Sequence, residues 1–324
     1  MAARTPTMIR TSDQRSHADA RHDALFRWVL KACALLVLIV LLGAALATLW
    51  GGREVLFGHG MEFLTSADWN PVENHYGAWA PIYGTLVTST IAIIIAVPIS
   101  FGIALFLTEI APAWMRGPVG TAIEMLAGIP SIIYGMWGLF VFVPFMAEHV
   151  EPWINDNLGE LPLVGGLFSG PPLGLGLLTA GIVLAIMIIP FISSVMREVF
   201  QTVPSRLKES AHALGSSTWE VVWDIVLPYT RSAVIGGVFL GLGRALGETM
   251  AVTFVLGNSY DITGSLLMPG TSISSSIANE FNEAIGTHRS ALMALGFLLF
   301  IVTFVVLLLA RLMLRSLARR EGKQ

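Results

Sequence analysis

Six apolar segments recur along this chain, near residues 28–50, 81–107, 119–146, 173–195, 232–256 and 290–314, each long enough to cross about 30 Å of hydrocarbon as a helix. A backbone in lipid must satisfy its own hydrogen bonds, and runs of this length exceed what a barrel strand needs, so helices are expected. With 54% hydrophobic and 13% charged residues over 324 positions, and a mean hydropathy of +0.71, the chain carries more apolar surface than a soluble core of this size can hide. The expected fold class is an all-α polytopic membrane protein with six transmembrane helices.

Basic residues set the expected orientation. Arg4, Arg10, Arg15, Arg21, Arg27 and Lys31 precede or open the first segment; Arg197, Arg206, Lys208 and Arg231 fill the fourth-to-fifth connection; Arg311, Arg315, Arg319, Arg320 and Lys323 follow the sixth. The alternate connections at 51–80, 147–172 and 257–289 hold only Arg53 and Arg289. The positive-inside bias therefore places both termini in the cytoplasm of a multi-pass membrane protein. Trp28, Trp50, Trp79 and Trp153 sit near segment ends as interfacial anchors. The domain reading is a flexible tail at 1–27, a bundle at 28–315 with a cytoplasmic insert at 196–230, and a short tail at 316–324. A cleaved signal peptide ending near Ala45-Leu46-Ala47 is the rival for the first segment, opposed by the length of that apolar run and of the tail before it.

Other classes find little support. No basic face suits a nucleic acid. Cys33 is the only cysteine, and the seven histidines are scattered, so neither an internal disulfide nor zinc-like spacing is present in the sequence. No nucleophile and base stand in a recognisable pattern. Pro98 and Pro190 interrupt the second and fourth segments, Pro130 lies in the third within IPSIIYG, and Gly237/Gly241 with Gly243/Gly247 make two small-xxx-small pairs in the fifth.

The insert is unusual in being polar yet patterned. Leu207, Ala211 and Leu214 recur at i, i+4 and i+7, which places them on one face of a short helix that Gly215 can stop. Ser217 and Glu220 have the spacing of a capping box, and Trp219, Val222, Trp223 and Val226 supply an apolar side for a second helix before Pro228. Two uses fit this helix, turn, helix unit: a solvated amphipathic loop, or a helix docked in a partner's groove with Ala211 permitting close approach.

The run Glu209-Ser210-Ala211, three residues, Gly215, nine residues, Ile225-Val226-Leu227-Pro228 resembles the EAA loop of ATP-binding-cassette importer permeases, with Ser210 in place of the middle alanine. The resemblance implies a type I, MetI-like permease fold, with Leu207, Glu209, Ala211, Leu214 and Gly215 on a coupling helix seated on an ATPase. It also implies that the energy comes from elsewhere: the chain has no GxxxxGK[ST] phosphate loop, so ATP and Mg would be used by a separate ATPase and no cofactor by this chain.

A second constellation lies in GLGRALGETMAV, residues 241–252. Arg244 and Glu248 are one helical turn apart, and a central Arg costs about 2.5 to 3.5 kcal/mol even on insertion scales, so these groups should face protein or an aqueous path. They can form an intrahelical ion pair that fixes packing, or line a path for an oxyanion, to which a guanidinium donates two parallel hydrogen bonds. Thr249, Thr253 and Asn258 can extend such a path. The stretch, together with GIPSIIYG at 128–135, resembles the C-subunit permeases of phosphate-specific importers, whereas the shorter RALGE is shared with sulfate and molybdate permeases. The resemblance implies inorganic phosphate as substrate, a homologous A-type permease and two ATPase subunits as partners, and a periplasmic phosphate-binding protein as donor. The alternatives are sulfate, molybdate or tungstate transport, or a membrane sensor or scaffold without flux. The Ser-rich stretch 263–284 is read as a polar connector, with contact to a binding protein or an outer vestibule as the sharper alternative.

Overall fold

The computed structural model describes residues 10–162 and 165–321, with side chains described over 23–162 and 165–312. The tail residues Arg4, Lys323 and the side chains of Arg10, Arg15, Arg21, Arg315, Arg319 and Arg320 lie outside the described residues. The chain divides into two units, Met1–Trp50 and Gly51–Gln324. In the first, one helix runs Arg10–Gly51. The expected flexible tail is thus helical from Arg10 on, and at the other end helix Gly286–Glu321 runs through most of the expected second tail. In both places sequence free of Gly and Pro extends a helix from the adjoining apolar span.

Among the described residues six helices are long and apolar enough to cross a membrane: Asp23–Gly51, Trp79–Ile110, Ser131–Leu158, Leu177–Gln201, Thr218–Leu246 and Gly286–Leu312. These are the first to sixth spans below. The third and fifth depart from expectation. Helix Ala113–Ala127 ends before Gly128-Ile129-Pro130, and the third span starts only at Ser131 and runs to Leu158. Pro130 therefore begins a helix, as its missing N–H allows at an N-terminus, and does not sit inside one. The fifth span starts early, at the second helix of the insert, passes through a π-turn at Val222–Val226 and continues past Pro228 to Leu246. The widened turn lets Pro228 follow without ending the helix. Pro98 and Pro190 also lie inside continuous helices.

The fourth span is the centre of the second unit: 61% of its apolar stretch is buried, against 33% for the second and less for the others of that unit. Ala92, Ala96 and Ala104 of the second span are fully buried and join its core. Ser100 donates to the Ile189 carbonyl at 3.1 Å, and Phe101 meets Phe200 edge to face at 5.8 Å. On the other side Gly237 and Gly241 let the fifth span close on the fourth, since a Cβ there would come within 2.9 Å of Val195 and 2.6 Å of Ile192 respectively. The second glycine pair does not pack this way. Gly243 has only ordinary contact with Leu307, and Gly247 lies beyond the helix end.

A cap covers one end of the second unit. Helices Arg53–Gly58 and Gly60–Thr65, a hairpin pairing Trp69–Asn70 with His75–Tyr76, and helix Ile273–Glu280 share a second apolar cluster with Ala291, Leu292, Leu295 and Leu298 of the sixth span. Ser272, Ser274, Ser275 and Ser276 are buried. The stretch read as a polar connector is therefore packed structure: Ser272 and Ser275 form a capping box, and Thr85 of the second span accepts from the Ile273 N–H at 3.0 Å. Hydroxyls of this size fill a tight contact while meeting each other's hydrogen-bonding needs.

Candidate functional site

The fifth span stops where the sequence pattern runs on. Helix Leu227–Leu246 ends, Gly247, Glu248 and Thr249 are non-helical, and a short helix Met250–Val255 follows. The expected single helix over 232–256 is thus two pieces, and Arg244 and Glu248 do not share a helical face. Among the described residues Arg244 forms no ion pair. Its guanidinium lies in the last turn, where a cation suits the helix dipole, with Cζ 5.6 Å from the Phe191 ring centre. The residue is exposed. Glu248 turns the other way, its Oε1 accepting from the Ala251 N–H at 3.3 Å and capping the short helix. The intrahelical ion pair considered from the sequence does not form, because the carboxylate serves a free backbone donor created by the break.

The short helix is seated on the third span. A Cβ at Gly135 would fall 2.9 Å from the Met250 carbonyl oxygen, and one at Gly138 would fall 2.8 Å from Val255. Two interruptions therefore belong to one site: Gly128-Ile129-Pro130 before the third span and Gly247-Glu248-Thr249 after the fifth. Tyr134 spans the first break, its hydroxyl donating to the Leu126 carbonyl at 3.1 Å. Irregular backbone at membrane depth is tolerated where it lines a cavity or is covered by protein.

The hydroxyls proposed for a path are already committed as donors. Thr253 Oγ1 donates to the Thr249 carbonyl at 2.7 Å, and Thr249 Oγ1 lies 3.4 Å from the Gly247 carbonyl. Asn258, at φ 52°, donates to the Thr253 carbonyl at 3.2 Å. These residues shape the break, and Arg244 is the cation left with donors to offer. Phe191 and Tyr134 were not singled out from sequence; each lies in a different span, and no local pattern marks either as a neighbour of this break.

The insert is a helix, turn, helix unit, as its pattern indicates. Helix Ser205–Ala213 ends at Gly215, whose φ of +95° favours glycine, with Ser216 N–H bonded to the Ala211 carbonyl and Gly215 N–H to that of His212. Ser217 and Glu220 close the capping box. Side-chain directions differ from expectation. Ala211 faces its own chain, in the core cluster with Val203, Val221 and Val226, whereas Leu207 is 44% and Leu214 88% exposed. Trp219 and Trp223 also point outward, ring centres 5.3 Å apart, while Val222 and Val226 point inward. The π-turn at Val222–Val226 rotates the faces that a regular α-helix would have merged. Glu209 is exposed and adjoins this outward surface.

Residues 100–322 match the family of binding-protein-dependent transport system inner membrane components. The chain belongs to that family. A Xylella fastidiosa phosphate transport system permease protein PstC is 65% identical over 317 residues, covering 98% of each chain. The protein of the same name from Pasteurella multocida is 56% identical over 320 residues, covering 98% of this chain and all of that one. A probable phosphate transport system permease protein PstC from Methanocaldococcus jannaschii is 41% identical over 239 residues, covering 73% of this chain and 74% of that one. Among solved structures, a chain of a bacterial alginate ABC transporter in complex with an alginate-bound periplasmic protein superposes with a TM-score of 0.62 at 19% identity, covering 93% of this permease and 97% of that chain. A chain of the inward-facing MetNI methionine transporter gives 0.50 at 16% identity, covering 74% and 94%. These structures share the importer-permease fold. The permease is accordingly a multi-pass inner-membrane subunit of the MetI-like type.

Proposed function

We propose that this chain is the permease subunit of an ATP-driven importer of inorganic phosphate, forming half of the translocation path. The observation that carries the reading is Arg244, a guanidinium without a carboxylate partner at the junction of two broken helices. A fixed, permanently charged fork suits a tetrahedral oxyanion, and a single unpaired cation binds it without the depth of a cluster. Glu248, two residues beyond the helix end and bonded to the Ala251 N–H, keeps a negative charge near the path. It weakens the hold on an anion enough for release. Relatives bearing the phosphate-permease name over nearly the full length support the substrate.

The insert faces the cytoplasm in this reading, both termini with it, and the cap faces the periplasm. Leu207, Leu214 and Glu209 offer the outward surface to an ATPase, with Gly215 holding the turn and Ala211 acting as the inward anchor of the coupling helix. The assembly pairs this chain with a homologous A-type permease and two ATPase subunits, which bind ATP and Mg and perform hydrolysis. A periplasmic phosphate-binding protein delivers phosphate to the cap side. Nucleotide binding closes the ATPases and biases the bundle outward; hydrolysis resets it.

Uptake of labelled phosphate into proteoliposomes of the complete complex, with sulfate and molybdate as competitors, tests the reading. Phosphate flux that neither competitor reduces is expected. Uptake of another oxyanion that ignores excess phosphate would overturn the substrate, and full flux in an Arg244→Gln complex would overturn the role of the site.

A further inference from the structure

Two contacts of different kind help to fasten helix Ser205–Ala213 to the rest of the second unit. Ala211 lies in an apolar cluster, a contact without direction that tolerates sliding. Lys208 makes the other. Its Nζ donates to Glu109 Oε1 at 2.6 Å across 99 positions of sequence, and the two side chains are only 18% and 10% exposed. Shielding of this degree protects the pair from salt, and removing one member leaves the other charge poorly solvated.

Glu109 occupies the π-turn Phe106–Ile110 that ends the second span. Only Ala111 and Pro112 separate it from helix Ala113–Ala127. That helix is itself pinned to the fourth span, since Arg197 donates to Glu124 and its guanidinium lies where a side chain at Gly120 would otherwise stand. At its far end Leu126 accepts from Tyr134 across the break that precedes the third span. A push on Lys208 therefore reaches the second span and the helix that borders the site through directional contacts.

We propose that Lys208 and Glu109 form a strut, a positioning pair that makes the second span and helix Ala113–Ala127 follow the insert when an ATPase moves it. The proposal rests on the transport reading above. Its signature is coupling: the pair sets how much solute moves per ATP, with little effect on ATP hydrolysis.

The complete complex is reconstituted with Glu109→Gln, Lys208→Gln, or the exchanged pair Glu109→Lys with Lys208→Glu, and uptake per ATP hydrolysed is measured. Each single variant is expected to hydrolyse ATP while this ratio falls about tenfold, the scale of coupling between touching residues; the exchanged pair restores most of it. An unchanged ratio in the single variants overturns the strut, as does a ratio equally low in the exchanged pair. Should a single variant fail to assemble, Glu109→Asp shortens the strut by one methylene and must lower the ratio; an unchanged ratio overturns the proposal there too. If the wild-type complex carries another oxyanion, the substrate reading fails and the strut is scored on that solute.

Discussion

Two ionisable side chains of the second unit, Glu280 and Arg244, meet different fates. Glu280 accepts from the Trp69 indole at 2.8 Å and the Tyr260 hydroxyl at 2.6 Å, and lies 2.7 Å from His288 Nε2. The aromatic partners reinforce one another: Trp69 stacks on Tyr260 with ring centres 5.0 Å apart, and Tyr76 stacks on His288 at 5.6 Å. The hairpin, the loop holding Tyr260, helix Ile273–Glu280 and the start of the sixth span are joined at one carboxylate. Among the described residues Arg244 has a ring face and no carboxylate. A charge whose hydrogen-bonding capacity is filled by its own chain holds structure, and a charge left with donors to offer awaits something else.

The sharpest way to break that contrast is to empty the filled site. Glu280→Ala leaves an indole N–H and a largely buried hydroxyl without their acceptor and should lower the unfolding free energy by about 2 to 3 kcal/mol, read as a fall in Tm of the purified complex. Whatever complex survives should transport at a nearly normal rate per molecule. Loss of transport at unchanged Tm would make Glu280 part of the path.

Alkali probes the same cluster. Burial, then the bond to Glu280, pushes the Tyr260 hydroxyl far above its usual range, and burial with the Glu280 charge raises Tyr76. A raised folded-state pKa means the unfolded chain releases its proton first, so this stabilisation is complete below the unfolded value of about 10 and declines as pH rises above it. Tm should therefore drop with a steeper slope above that pH in the wild type than in Tyr260→Phe. Equal slopes would show that the hydroxyl is not the group being protected.

Much of this division could be read from residues alone, and the part that could not has a physical cause. The six spans, the capping box at Ser217 and Glu220, the turn at Gly215 and the close approach at Gly237 and Gly241 are local patterns or length effects, and all are present. Facing is where the pattern fails. Spacing puts Leu207, Ala211 and Leu214 on one helical face but does not say which surface each meets, and Ala211 points inward while Leu214 points out. The break at Gly247-Glu248-Thr249 was hidden for a similar reason: an apolar run reads as one helix, and only the Glu248 bond to Ala251 reveals the new N-terminus. Serines 272 and 274–276 misled in the opposite sense, their polarity suggesting solvent where a buried hydroxyl network forms.

Smaller effects sharpen the comparison on the side of Arg244. Glu248→Gln keeps an acceptor for the Ala251 N–H but removes the negative charge, so phosphate should be held more tightly and released more slowly. Steady-state uptake should show a lower KM with a severalfold lower maximal rate; a raised KM would assign Glu248 to binding the anion's counter-charge. Thr253→Val should matter least. Its hydroxyl already donates to the Thr249 carbonyl, so uptake should change by less than about twofold, the range of substitutions outside special contacts.

The most direct measurement is labelled-phosphate uptake by the assembled complex carrying Arg244→Gln, alongside its basal ATP hydrolysis. Removal of the charge that would hydrogen-bond the bound anion should reduce uptake by roughly 100-fold while the subunits still assemble and hydrolyse ATP. Uptake within about twofold of the wild type would contradict the assignment of Arg244 to the anion and return the broken helix to a purely structural role.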